Sequence, residues 1–196
     1  MPGSVSSARK RKRRLNLVGD YLRRLAFPFT LLAVIVIADQ LSKLWVLANL
    51  EPGEIYPVFG SFFQLRLIYN IGGAMGTALG SGTFYLISSL IILIAVFYLI
   101  ITNKDNLWTK YSLTLIAAGA IGNIIDRLRI GMVVDFLDVD IPDIDFLGFR
   151  LERWWTFNIA DSAISIGMII LMLFIIFRPQ KKPETAPPSS ISVSDS

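Results

Sequence analysis

The sequence predicts a mainly α-helical membrane protein, with four transmembrane helices and a small β-strand platform at the outer face. Three observations predict it. Of the 196 residues, 54% are hydrophobic and the mean hydropathy is +0.58, more apolar surface than a soluble domain of this size requires. The apolar residues gather into four separate runs rather than one periodic pattern. Between the first two runs, Phe63, Leu65, Leu67 and Tyr69 alternate with Gln64, Arg66, Ile68 and Asn70, the period of a half-buried strand.

A spanning helix needs about 20 residues. Phe27 to Asn49 is the first such run, with Pro28 near its start, where a proline is tolerated. Thr83 to Thr102 is the second and is uncharged. Ser112 to about Ile130 is the third, rich in small residues (Ala117, Ala118, Gly119, Ala120, Gly122) that let helices approach closely. It is short before Asp126, so it spans only with the Asp126–Arg127 pair partly embedded. Trp154 to Phe177 is the fourth, stopped by Arg178 and Pro179. The division is then a basic tail at 1–26, a four-helix transmembrane domain at 27–178 and a disordered tail at 179–196.

Charge placement orients the chain. Arg9 to Arg14 is an unbroken basic run, followed by Arg23 and Arg24, and reads as a disordered, solvated extension. No folded basic domain accompanies it, so no nucleic-acid partner is expected. It is too long and too charged for a cleaved signal peptide, and no A-x-A-like site follows. Thirteen Lys and Arg fall in the N-tail, the 103–111 loop and the C-tail, against four (Arg66, Arg129, Arg150, Arg153) on the other side. By the positive-inside rule both termini are cytoplasmic, and segments 50–82 and 131–153 face outward. In the first of these, the glycine-rich NIGGAMG after the strand permits tight turns. In the second, Asp135, Asp138, Asp140, Asp143 and Asp145 fit no calcium-loop spacing. That acidic run reads as a solvated face, with Asp135 the exception.

The chain has neither cysteine nor histidine, which removes thiol nucleophiles, imidazole bases and zinc sites built on them. Carboxylate chemistry remains. An ionisable side chain inside a span costs roughly 2.5–3.5 kcal/mol on insertion scales, so each one marks a functional hypothesis. Asp39 and Lys43 lie one helical turn apart in the first span, a self-neutralising pair. Asn123 and Asp126 share a face of the third, and the adjacent Arg127 is the simplest partner for Asp126. Asp135, in MVVDF, and Asp161, after Asn158 in the first turns of the last helix, have no local cation. If the third and fourth spans are neighbours, these two can meet at the outer boundary. One would then stay protonated beside the other's charge, supplying an acid and a base for amide hydrolysis.

Taken together, these motifs resemble the lipoprotein signal peptidase (signal peptidase II) family. The family's D-Q-x-x-K stands as Asp39, Gln40 and Lys43, and its G-N-x-x-D-R as Gly122, Asn123, Asp126 and Arg127. Its V-V-D-F is Val133 to Phe136, and its F-N-x-A-D-S is Phe157, Asn158, Ala160, Asp161 and Ser162. Its N-x-G-A-A-F appears as Asn70, Gly72, Gly73, Ala74 and Met75, with glycine and methionine replacing an alanine and the phenylalanine. Both tails, and the stretch between Asp138 and Trp155, depart from the compact form. The resemblance implies cleavage of signal peptides from diacylglyceryl-modified prolipoproteins, just before the lipidated cysteine, in the bacterial cytoplasmic membrane; a monomer is expected. It implies Asp135 and Asp161 as catalytic aspartates, with Asp39, Lys43, Asn70, Asn123, Asp126, Arg127 and Asn158 as the surrounding polar shell. No metal or cofactor is implied, and inhibition by globomycin is. A small ion-coupled transporter is the rival reading, but it would place its carboxylates near mid-bilayer.

Overall fold

The computed structural model describes residues 3–72, 80–102, 106–141, 143–146, 149–151 and 153–177, with backbone alone for 3–25, 144, 146 and 149–151. The C-tail and residues Gly73 to Met75 of the glycine-rich motif lie outside the described residues. In chain order the elements are α1 (Gly3–Asn49), β1 (Ile55–Phe59), β2 (Phe63–Asn70), α2 (Gly82–Thr102), α3 (Leu107–Ile130), β3 (Val133–Val139), β4 (Ile144–Phe146), β5 (Phe149–Leu151) and α4 (Ile159–Phe177).

The basic extension expected to be disordered is instead part of α1, which continues through Pro28. A proline inside a helix removes one backbone bond, and apolar surroundings that pack against it make this tolerable. Further along, Asp39, Lys43 and Val46 are buried while Val34, Ile37, Leu41, Leu44 and Trp45 are exposed. The polar stripe therefore faces inward and the apolar one outward, the inverse of a soluble helix and suited to lipid.

Three helices are long and apolar enough to cross a membrane: the Ala26–Asn49 part of α1, α2 and α4. The third predicted span, α3, is not among them. It packs against each of the other three helices and buries Ser112, Thr114, Asn123 and Asp126 along with its alanines. A helix shielded by protein has no lipid to satisfy and can carry polar groups. Its glycines make the contact close: a Cβ on Gly122 would lie 3.1 Å from Ala160 Cβ, and one on Gly167 of α4 2.7 Å from the Ser112 carbonyl. Asn106 caps the start of α3, accepting from Thr109 N at 3.1 Å. Gly131, at φ 74°, ends it in the left-handed conformation.

The predicted strand 63–70 is β2, the centre of an antiparallel sheet ordered β1–β2–β3. Val46 of α1 and Leu50, just after it, pack with Leu67, Val134 and Phe136 to fix this sheet to the helices. A separate hairpin, β4–β5, lies beyond it. The fourth predicted span starts late. Trp154 to Asn158 run extended beside β3, with Phe157 bridged to Leu137, and α4 opens only at Ile159. The acidic run is likewise not uniformly solvated: Asp138 is 3% exposed and paired with Arg153 at 2.5 Å.

Candidate active site

Five chain segments converge at the C-terminal end of α3. Asp39, Gln40 and Lys43 come from α1, Asn70 from the end of β2, Asn123, Asp126 and Arg127 from α3. Asp135 comes from β3, and Asn158 with Asp161 from the start of α4. All nine sequence-predicted site residues stand in or beside one network.

Its base is a buried ion cluster. The Lys43 ammonium uses its three protons on Asp39 Oδ2 at 2.9 Å, Asp126 Oδ2 at 2.7 Å and Asn123 Oδ1 at 3.1 Å. The three charged side chains are at most 3% exposed. Gln40 Nε2, which was not among the expected shell residues, lies 3.1 Å from Asp39 Oδ2, Asp126 Oδ1 and the Gly122 carbonyl alike. It sits between two carboxylates that would otherwise repel.

The expected Asp126–Arg127 pair does not form. Neighbouring helical residues point in different directions, so Asp126 turns to Lys43 and also accepts from Val134 N at 3.2 Å. Arg127 instead donates to the Gly72 carbonyl at 3.1 Å and lies over the Tyr85 ring, 5.9 Å from its centroid. Tyr85 carried no signal in the sequence, because its partner is distant in the chain.

The two Asn-x-x-Asp segments do different work despite equal spacing. Asn158 and Asp161 form a reciprocal cap on α4: Asp161 N donates to Asn158 Oδ1 at 2.8 Å and Asn158 N to Asp161 Oδ2 at 3.3 Å. Asn123 lies inside α3 and reaches outward, its Nδ2 donating to Asp161 Oδ1 at 2.7 Å. Asp39 adds a cap from another helix, accepting from Ala160 N at 2.9 Å.

Asp135 stands opposite Ile68 in the sheet, so Asn70, two residues on, shares its face. Asn70 Nδ2 donates to Asp135 Oδ2 at 2.9 Å, and Asn158 Nδ2 to Asp135 Oδ1 at 2.7 Å. Each of the two aspartates thus accepts two N–H groups, and among the described residues neither has an ion-pair partner. Burial pushes the Asp135 carboxyl up to about 7, and the negative charge of Asp161 pushes the same way. Asp135 is 2% exposed, whereas Asp161 is partly open. Such a pair can hold one proton near neutrality and present a charged carboxylate to water. Among the described residues no group of three or more acidic side chains is placed to hold a metal ion.

The family model described as signal peptidase (SPase) II matches residues 31–177. A lipoprotein signal peptidase of Moorella thermoacetica is 45% identical over 150 residues, covering 74% of this chain and 89% of its own. One from Psychromonas ingrahamii is 36% identical over 169 residues, covering 83% and 92%. A bacterial membrane enzyme solved by the in meso method at 2.3 Å superposes with a TM-score of 0.69 at 31% identity, over 81% of this chain and 95% of that one. The chain belongs to the signal peptidase II family.

Proposed function

We propose that Asp135 and Asp161 are the catalytic pair of a membrane-embedded aspartic endopeptidase that removes signal peptides from diacylglyceryl-modified prolipoproteins. The cut falls just before the lipidated cysteine, at the outer face of the cytoplasmic membrane. The observation that carries this reading is the shared polar frame. Asn158 bonds to both aspartates, and among the described residues neither forms an ion pair. Asp161, the more accessible carboxylate, takes a proton from water as its oxygen attacks the scissile carbonyl. Asp135 gives its proton to the departing amide nitrogen, and the pair is restored by exchanging one proton. One chain carries both groups, so a monomer suffices.

The site's place in the membrane follows from α3 crossing as a fourth span within the domain 27–178, with both termini cytoplasmic. The buried Lys43 cluster is then structural. Asp135→Asn and Asp161→Asn each abolish turnover while the protein still folds and binds a lipidated precursor. Asp126→Asn instead lowers stability by about 1.5–3 kcal/mol, because it weakens the charge-assisted contact with Lys43 and the bond accepted from Val134 N, while Asp39 still balances the lysine. Cleavage of a lipidated precursor alongside thermal melts tests both statements. Near-normal cleavage by Asp135→Asn, with a dead but fully stable Asp126→Asn, would show the wrong carboxylate has been chosen.

A further inference from the structure

Arg153 lies on the segment that leads into α4, and its guanidinium contacts β3, the residue that follows it and the β1–β2 turn. Nε meets Asp138 Oδ1 at 2.5 Å, Nη2 donates to the Ser61 carbonyl at 2.6 Å, and Nη1 lies 3.5 Å from Asp140 Oδ2. Backbone bonds continue from there along β3. Trp154 N donates to the Val139 carbonyl at 3.2 Å, Phe157 N to that of Leu137 at 3.0 Å, and Leu137 N back to that of Phe157 at 2.7 Å. Asn158 follows at once, 2.7 Å from Asp135 Oδ1.

Between the two aspartates the chain leaves the sheet after Asp140 and returns at Arg153, so the return has to find its register again. A slip of two residues along a strand displaces every following group by about 7 Å, beyond the reach of the Asn158 amide. We propose that Arg153 is a positioning residue of the peptidase. By gripping Asp138 and the Ser61 carbonyl where the excursion rejoins the sheet, it sets the register of 153–158 on β3 and so delivers Asn158 and Asp161 to Asp135. The planar guanidinium suits this because it spans a carboxylate and a carbonyl together, which a lysine's point charge does not. The inference rests on the catalytic assignment of Asp135 and Asp161.

The test measures kcat and KM on a lipidated precursor for the wild type, Arg153→Ala, Asp138→Asn and the double variant. A fifth protein carries Arg153→Ala with 141–152 replaced by a turn of about four residues. Each single variant lowers kcat by about 10- to 100-fold with KM nearly unchanged, and the double variant is no worse than the singles. The short connection, which sets register by its own length, restores kcat. Wild-type kcat in Arg153→Ala, a raised KM with intact kcat, or additive losses in the double variant would overturn the proposal. If the shortened protein does not accumulate, the double-variant comparison decides alone. A wild-type protein that fails to cleave the precursor would overturn the peptidase reading instead.

Discussion

One amide, that of Asn158, touches both halves of the carboxylate pair, donating to Asp135 Oδ1 at 2.7 Å and accepting from Asp161 N at 2.8 Å. Asp135 sits in that frame with its carboxyl raised to about 7 from 3.8, through burial first and the Asp161 charge second. Between those two values the folded protein holds a proton that the unfolded chain has released. Stability from this group is therefore fully present below about pH 4 and is lost as pH rises through 7. Asp135→Asn never charges and removes that contribution to the slope. Thermal melts at pH 5 and pH 8 check this: the wild type loses melting temperature relative to the variant on going to pH 8. An identical difference at both pH values would refute it. The sequence exposed Asp135 and Asp161 because an aspartate flanked by apolar residues, with no cation one turn away, stands out. It misassigned Asp126 because adjacency in the chain is not adjacency on a helix: its cation, Lys43, comes from α1.

Among the elements, helices were legible from their apolar runs, and β2 from its alternation. β1 was not, since Pro57 interrupts it and all of its residues are exposed; a proline is at home only on such an edge strand. The late start of α4 was also hidden, because Trp154 to Phe157 are as apolar as the helix that follows and only pairing with β3 separates them. The burial of Asp138 depends on Arg153, a partner no local pattern reveals. The run of small residues in α3 was legible, and the reason for it is now specific. A Cβ on Gly122 would stand 2.5 Å from Asp39 Oδ2 as well as 3.1 Å from Ala160 Cβ. Gly122→Ala therefore pushes α3 away from α4 and disturbs the Asp39 carboxylate that caps Ala160 N. The expected loss is about 1–3 kcal/mol together with reduced turnover. A melting temperature and rate equal to wild type would mean that the helices have room to spare.

For the whole molecule, position in the bilayer does much of the work that tight binding does in a soluble protease. Thirteen basic residues against four orient the chain, so reporter fusions at Pro183 and Asn106 read as cytoplasmic and those at Gly60 and Leu147 as external; one reversed site breaks that topology. With the chain so placed, the carboxylate pair lies at the outer boundary, where a diacylglyceryl group embedded in the same leaflet brings the scissile bond to it. Confinement in the bilayer supplies proximity that would otherwise have to come from contacts along the peptide. A precursor with an unmodified cysteine loses that anchor, and with it binding energy used to position the reacting bond. Its cleavage rate should fall by orders of magnitude, while changes in peptide sequence matter less than removal of the lipid. The chemistry needs only water and two carboxylates, so a chelator should leave the rate unchanged. Matched lipidated and unmodified precursors, assayed in detergent with and without a chelator, provide the measurement. Equal rates on the two precursors would remove the anchor from the mechanism, and loss of activity to the chelator would remove the unaided carboxylate pair.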